Sequence, residues 1–101
     1  MSILQDILKE EKIRLTALKQ KYEKELEKLP RGSLSKKLRN NKPYYYLAYR
    51  DGEKVKFQYI GKEDSEKLHI LQEQVSKRHG LILKLKQVKE ELKELSKSVN
   101  E

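Results

Sequence analysis

The sequence predicts an α+β fold, in which two long helices form an antiparallel coiled-coil-like hairpin and a small antiparallel β-hairpin is inserted between them. Apolar residues recur in steps of four and three near both ends of the chain, as in helices that pack side by side. In the middle, Asp51-Gly52 separates two aromatic and β-branched runs, which indicates a hairpin. The 101 residues are expected to form one domain: a helix over 3–29, a basic hairpin module over 31–62 and a helix over 64–98.

The first helix is predicted to begin just after Ser2. Ser2 and Gln5 have the spacing of a capping box, which satisfies backbone N–H groups at the start of a helix. The helix is expected to end before Pro30, because proline disfavours helical backbone at the preceding residue. Its stripe of apolar and aromatic residues consists of Leu4, Leu8, Leu15, Leu18, Tyr22 and Leu29.

The second helix is predicted to be capped by Asp64 or Ser65. Its early stripe, residues 68, 71 and 75, is out of phase with its later stripe, which begins at Leu81. Either the helix kinks at Gly80, or the surface that it packs against changes there. Two such helices alone form a marginal stalk, so a partner helix or a homodimer with four helices is an alternative way to cover the stripes.

The β-hairpin is predicted to have a type I′ turn at Asp51-Gly52, with Arg50 paired to Glu53. Because side chains alternate along a strand, this register defines two faces. The face expected to be core carries Tyr44, Tyr46, Ala48, Val55, Phe57 and Tyr59. The face expected to point outward carries Tyr45, Leu47, Tyr49, Lys54, Lys56 and Gln58. Residues 33–39 are either a third strand that turns at Asn40-Asn41 or a flexible basic loop.

The positive charge is concentrated in the middle of the chain. Residues 28–62 contain ten Lys and Arg and two Asp and Glu, a balance of +8 that equals the formal net charge of the whole chain. A localised basic block favours a polyanionic partner, and we expect nucleic acid, with DNA favoured over RNA. The expected phosphate contacts are Arg31, Lys36, Lys37, Arg39, Lys42, Lys54, Lys56 and Lys62. Tyr45 and Tyr49 are expected to stack on bases or to wedge between them.

The stretch from Leu29 to Lys62 resembles small uncharacterised bacterial and archaeal proteins, often carried on mobile elements, with a hairpin of the type YYYLxYR…GKVxxxYIGK between charged helices. The matching residues are Tyr44-Tyr45-Tyr46-Leu47, Tyr49-Arg50, Lys54-Val55 and Tyr59-Ile60-Gly61-Lys62. The hairpin is also similar to the arm-type DNA-binding domain of some tyrosine recombinases, which contacts DNA through its sheet. The sequence contains no counterpart of the recombinase catalytic domain, so this resemblance implies binding alone.

Other classes of function are not favoured by the sequence. There is no Cys, His69 and His79 lack the spacing of metal ligands, and no glycine-rich phosphate loop occurs, so neither an enzyme nor a cofactor is expected. No apolar run suits a membrane span and no signal peptide is apparent, so a cytoplasmic location without a membrane partner is expected. The alternative function is a protein-interaction adaptor, or a phage or mobile-element inhibitor of a host complex, that acts through its helical stripes.

Overall fold

The computed structural model describes residues 2–99. In chain order it contains the elements α1 (Ile3–Glu27), β1 (Ser33–Arg39), β2 (Lys42–Asp51), β3 (Lys54–Lys62) and α2 (Glu66–Val99). The strands form one antiparallel sheet in the order β1-β2-β3, so the predicted α+β class is confirmed and residues 33–39 form the third strand. The chain divides into two compact units, one over Leu29–His79 and one formed by the segments on either side of it. The expectation of one domain stays a prediction.

The start of α1 is capped as expected. The Ser2 side chain accepts a hydrogen bond from the Gln5 backbone N–H at 3.2 Å. The helix ends at Glu27 rather than at residue 29, and the N–H of the C-cap residue Lys28 donates to the carbonyls of Glu25 and Leu26. The helix thus ends before Leu29, the residue whose helical backbone Pro30 disfavours.

The second helix begins after Ser65, whose Oγ accepts a hydrogen bond from the Leu68 backbone N–H at 3.1 Å. Ser65 is therefore the cap, rather than Asp64. The helix continues through Gly80 to Val99 without interruption. Leu68 and Leu71 are buried in the sheet unit, whereas Leu81 and Val88 are buried in the other unit. The change of phase along α2 is therefore a change of the surface that the helix packs against.

In the helical unit, the first half of α1 lies beside the end of α2, as in an antiparallel pair. Glu11 and Leu15 of α1 line a small cavity together with Glu91 and Leu95 of α2. Leu15 is only 3% exposed, so it anchors this contact. On the α1 surface, a side-chain hydrogen bond from Arg14 lowers the pKa of Glu11.

The core of the sheet unit lies on the face opposite to the one predicted. It consists of Leu47, Ile60, Leu68 and Leu71, with Leu34, Tyr45 and Val75 packed against it. Val55, Phe57 and Tyr59, which were expected to be core, are 54%, 52% and 49% exposed. The prediction was wrong because it considered two strands, whereas Leu34 of the third strand and Ile60 add aliphatic area to the face of Leu47.

The β2–β3 turn lies one residue later than predicted. Asp51 pairs with Lys54 and Arg50 pairs with Val55, so the loop is Gly52-Glu53 and the expected pair of Arg50 with Glu53 is wrong. Positive φ occurs at Gly52 (67°) and not at Glu53, which is the pattern of a type II′ turn. This turn requires left-handed backbone only at a glycine, whereas the predicted turn would also impose it on Asp51.

The β1–β2 turn is formed by Asn40-Asn41, as expected for the third strand. Their φ values of 51° and 64° are both positive, as a type I′ turn requires. Asparagine tolerates this backbone region better than most residues. The turn pairs Arg39 with Lys42 and places β1 against β2 along its whole length.

Candidate nucleic-acid interface

The face of the sheet opposite the core carries four aromatic side chains. Tyr46 pairs with Tyr59 and Ala48 pairs with Phe57, and alternation along β2 adds Tyr44 to the same face. The Tyr59 ring lies 5.4 Å from the Tyr46 ring in an edge-on arrangement and 6.3 Å from the Tyr44 ring, between centroids. We call this surface the open face. Its residues are Ser33, Ser35, Lys37, Arg39, Lys42, Tyr44, Tyr46, Ala48, Arg50, Val55, Phe57, Tyr59 and Lys62.

Four of the predicted basic residues belong to the open face. Lys37 lies over the aromatic rings, with its Nζ 4.4 Å from the Phe57 centroid and 5.1 Å from the Tyr46 centroid, as in a cation–π contact. Arg39 and Lys42 pair at the β1–β2 turn. Lys62 pairs with Tyr44 beyond a β-bulge, and paired residues share a face. From Ser33 to Lys62, no Asp or Glu lies on this face.

The other predicted residues on the strands belong to the opposite face. Tyr45 packs against the core, which corrects the expectation that its ring points outward to stack on bases. The Nζ of Lys56 lies 2.5 Å from Oδ2 of Asp51, so this lysine already has an anionic partner. Lys36 and Lys54 are exposed on the same side of the sheet. The predicted site is therefore divided between two surfaces.

Arg31 and Tyr49 lie together at a second feature, a cavity of about 380 Å³. Arg50 and Arg78 line it as well, and neither was among the predicted site residues. A signal for Arg78 was present, because residue 78 continues the three-four spacing of residues 68, 71 and 75 and therefore points toward the sheet. Gly32 also lines the cavity, and a Cβ at this residue would clash with the Ala48 carbonyl oxygen.

The described part of the chain contains neither a group of metal-ligating side chains nor a helix that could span a membrane. Within residues 2–99, no three His, Asp or Glu side chains are grouped as the ligands of a metal ion would be. Over the same residues, neither helix has the apolar character over sufficient length that crossing a bilayer requires. The surface features of residues 2–99 include the open face, the arginine-lined cavity and the exposed apolar residues of the helices.

The fold and the open face define a small α+β protein with an aromatic, basic sheet surface. The model of the family DUF6788, described as a domain of unknown function, matches residues 8–69. This range covers more than half of the 101 residues and includes the whole sheet, so the chain belongs to this family. No curated protein and no solved structure matches the chain.

Proposed function

We propose that this protein is a non-enzymatic nucleic-acid-binding protein, with DNA favoured over RNA, and that its open face contacts the strand. The observation that carries this proposal is the acid-free open face, where exposed aromatic rings lie among basic side chains. Aromatic platforms flanked by positive charge are how many proteins hold single strands, since every base has a face on which a ring can stack. A cytoplasmic location belongs to the same proposal.

Each part of the open face has its own role in this proposal. Phe57 and Tyr59 are about half exposed, at 52% and 49%, and they stack on unpaired bases. Lys37, Arg39, Lys42 and Lys62 contact phosphates around these rings. Phosphate contacts supply affinity with little sequence specificity, so we expect weak discrimination between sequences. Arg31, Lys36 and Lys54 remain proposed phosphate contacts outside the open face, and Lys56 contributes less because of Asp51.

A charge-reversed variant tests the proposal. We expect Lys37→Glu with Arg39→Glu to lose at least tenfold of the affinity for a labelled single-stranded DNA, because repulsion replaces two phosphate contacts. Fluorescence anisotropy at 100 mM salt measures the loss, with single-stranded RNA and duplex DNA as parallel ligands. The matched control is Lys84→Glu with Lys97→Glu, which makes the same change of charge on exposed residues of α2. Equal losses in both variants, or no binding by the unaltered protein, would contradict the proposal.

A protein-interaction function is the second candidate, and one observation favours it. Ile3, Leu4, Ile7 and Ile13 of α1 are 79%, 65%, 53% and 71% exposed, which is unusual for large apolar side chains on one helix. An adaptor, an inhibitor of a host complex or a homodimer would use this surface. The same charge-reversed variant separates the two candidates, because it leaves contacts made by α1 unchanged while it weakens contacts to a polyanion.

A further inference from the structure

Three arginines converge on one cavity of the sheet unit. Arg31 precedes β1, Arg50 is near the end of β2 and Arg78 is on α2, and all three line the cavity of about 380 Å³. Its other lining residues are Gly32, Ser33, Ala48, Tyr49 and Val55. The lining residues include three arginines and no Asp or Glu, so their side chains carry a formal charge of +3.

The Arg78 side chain has an unsatisfied donor. Its Nε is buried and has no hydrogen-bond partner in residues 2–99. A buried N–H without an acceptor carries the full cost of its desolvation, and the cost is larger for a charged group. Across the same described residues, none of the three guanidinium groups forms an ion pair with an acidic side chain. Mutual repulsion and the unsatisfied donor would both be relieved by an anion in the cavity.

We infer that this cavity is a phosphate site that holds the terminal phosphate of a nucleic-acid strand; the identity of the strand rests on the proposed function. Guanidinium groups bind phosphate oxygens through paired, charge-assisted hydrogen bonds. A terminal phosphate carries a charge of about −1.5 to −2 at pH 7, which suits three arginines better than the single charge of an internal phosphodiester. The cavity is also larger than a phosphate group, so the terminal sugar can lie against Tyr49.

The position of the cavity fits a strand that continues onto the open face. Arg50 and Val55 pair with each other, and both belong to the open face as well as to the cavity. Phe57 is two residues further along β3 and points to the same side of the sheet. A strand whose end is held by the arginines can therefore place its next bases on Phe57 and Tyr59.

The experiment compares three forms of one single-stranded DNA: 5′-phosphorylated, 3′-phosphorylated and with hydroxyl groups at both ends. We expect one phosphorylated form to bind at least tenfold more tightly than the hydroxyl form, as charge-assisted hydrogen bonds from several guanidinium groups to one phosphate would produce. Arg78→Gln should reduce this preference to less than about twofold. Arg50→Gln should reduce it too, and because Arg50 is exposed this variant serves even where Arg78→Gln impairs folding. Lys77→Gln, an exposed neighbour on α2, is the control and should keep the preference.

Equal affinity for all three forms would overturn the phosphate site while leaving the proposed function intact. Absence of binding to any form would overturn both together. A preference that persists in Arg50→Gln and in Arg78→Gln would also overturn it, because the arginines would not be its source. A direct reading comes from the NMR signal of the Arg78 Nε–H group, which should shift on addition of the phosphorylated form and not of the hydroxyl form.

Discussion

Phe57 and Tyr59 are about half exposed to solvent, although large aromatic side chains usually contribute to a hydrophobic core. Their rings are held by neighbours rather than covered: Tyr59 touches Tyr46 and Tyr44, and the Lys37 ammonium lies over Phe57. The aromatic pairs and the cation–π contact fix the orientation of the rings. Binding of a ligand would therefore cost little further side-chain entropy. These contacts suit the stacking role that we propose for the two rings.

Removing these two rings should weaken binding without unfolding the protein. We expect Phe57→Ala with Tyr59→Ala to lower the affinity for single-stranded DNA by at least tenfold, because each stacked base contributes about 1–3 kcal/mol. Anisotropy measures the affinity, and circular dichroism measures the melting temperature. Leu38→Ala is the control, since Leu38 is 66% exposed and lies on the opposite face. An affinity for DNA that is unchanged by loss of the rings would contradict their proposed role.

At the residue scale, the sequence predicted which side chains share a face but not which face is covered. From Tyr46 to Asp51 the observed partners are shifted by two residues from the predicted ones, and a shift of two preserves the alternation. Coverage depends on tertiary contacts that the hairpin does not contain: Leu34 in β1, and Leu68 and Leu71 in α2. The placement of Tyr45 against the core and the exposure of Phe57 both follow from which face of the sheet α2 covers.

At the scale of secondary structure, α2 contains a residue that weakens it without an evident packing reason. Gly80 lies inside the helix, and a Cβ at this residue would meet no other atom within 4 Å. Glycine costs about 1 kcal/mol relative to alanine in a helix interior. The helix passes from one unit to the other at this residue, so its local stability influences both.

Gly80→Ala should therefore stabilise the protein. We expect the free energy of unfolding to rise by about 1 kcal/mol, measured by urea denaturation with circular dichroism as the signal. Gly32→Ala provides the contrast: it should destabilise the protein, because φ at Gly32 is 118° and the added Cβ would approach the Ala48 carbonyl oxygen. A decrease in stability on Gly80→Ala would indicate that the helix needs the glycine there for a bend or a close contact.

The extents of the helices and strands could be predicted well because their signals are local. Ser2 with Gln5 marks the start of α1, and Asn40-Asn41 marks the first turn. The second turn was misplaced by one residue because Asp51-Gly52 and Gly52-Glu53 are both acceptable loops, and the choice depends on pairing further along the strands. The bulge between Tyr45 and Tyr46 adjusts the register near Ile60, and the isolated Gly61 inside β3 is a signal for it that the prediction did not use.

On the scale of the whole molecule, the charge distribution bears on how many contacts a polyanion makes. The formal net charge of +8 is confined to residues 28–62, but these bases lie on both faces of the sheet and in the arginine-lined cavity. A rigid sheet does not present both faces to one short strand. The number of phosphates neutralised should therefore reflect the open face and not the total charge.

The dependence of affinity on salt tests this directly. If Lys37, Arg39, Lys42 and Lys62 neutralise four phosphates of a single strand with hydroxyl ends, the slope of log K against log salt should be about −3. Participation of all eight predicted bases would give about −6. Anisotropy between 50 and 300 mM salt measures the slope, and Lys62→Gln should make it shallower by about 0.7, whereas Lys84→Gln at an exposed residue of α2 should leave it unchanged. A slope near zero would show that the basic residues do not contact phosphates, and would direct attention to the exposed apolar side chains of α1 as the working surface.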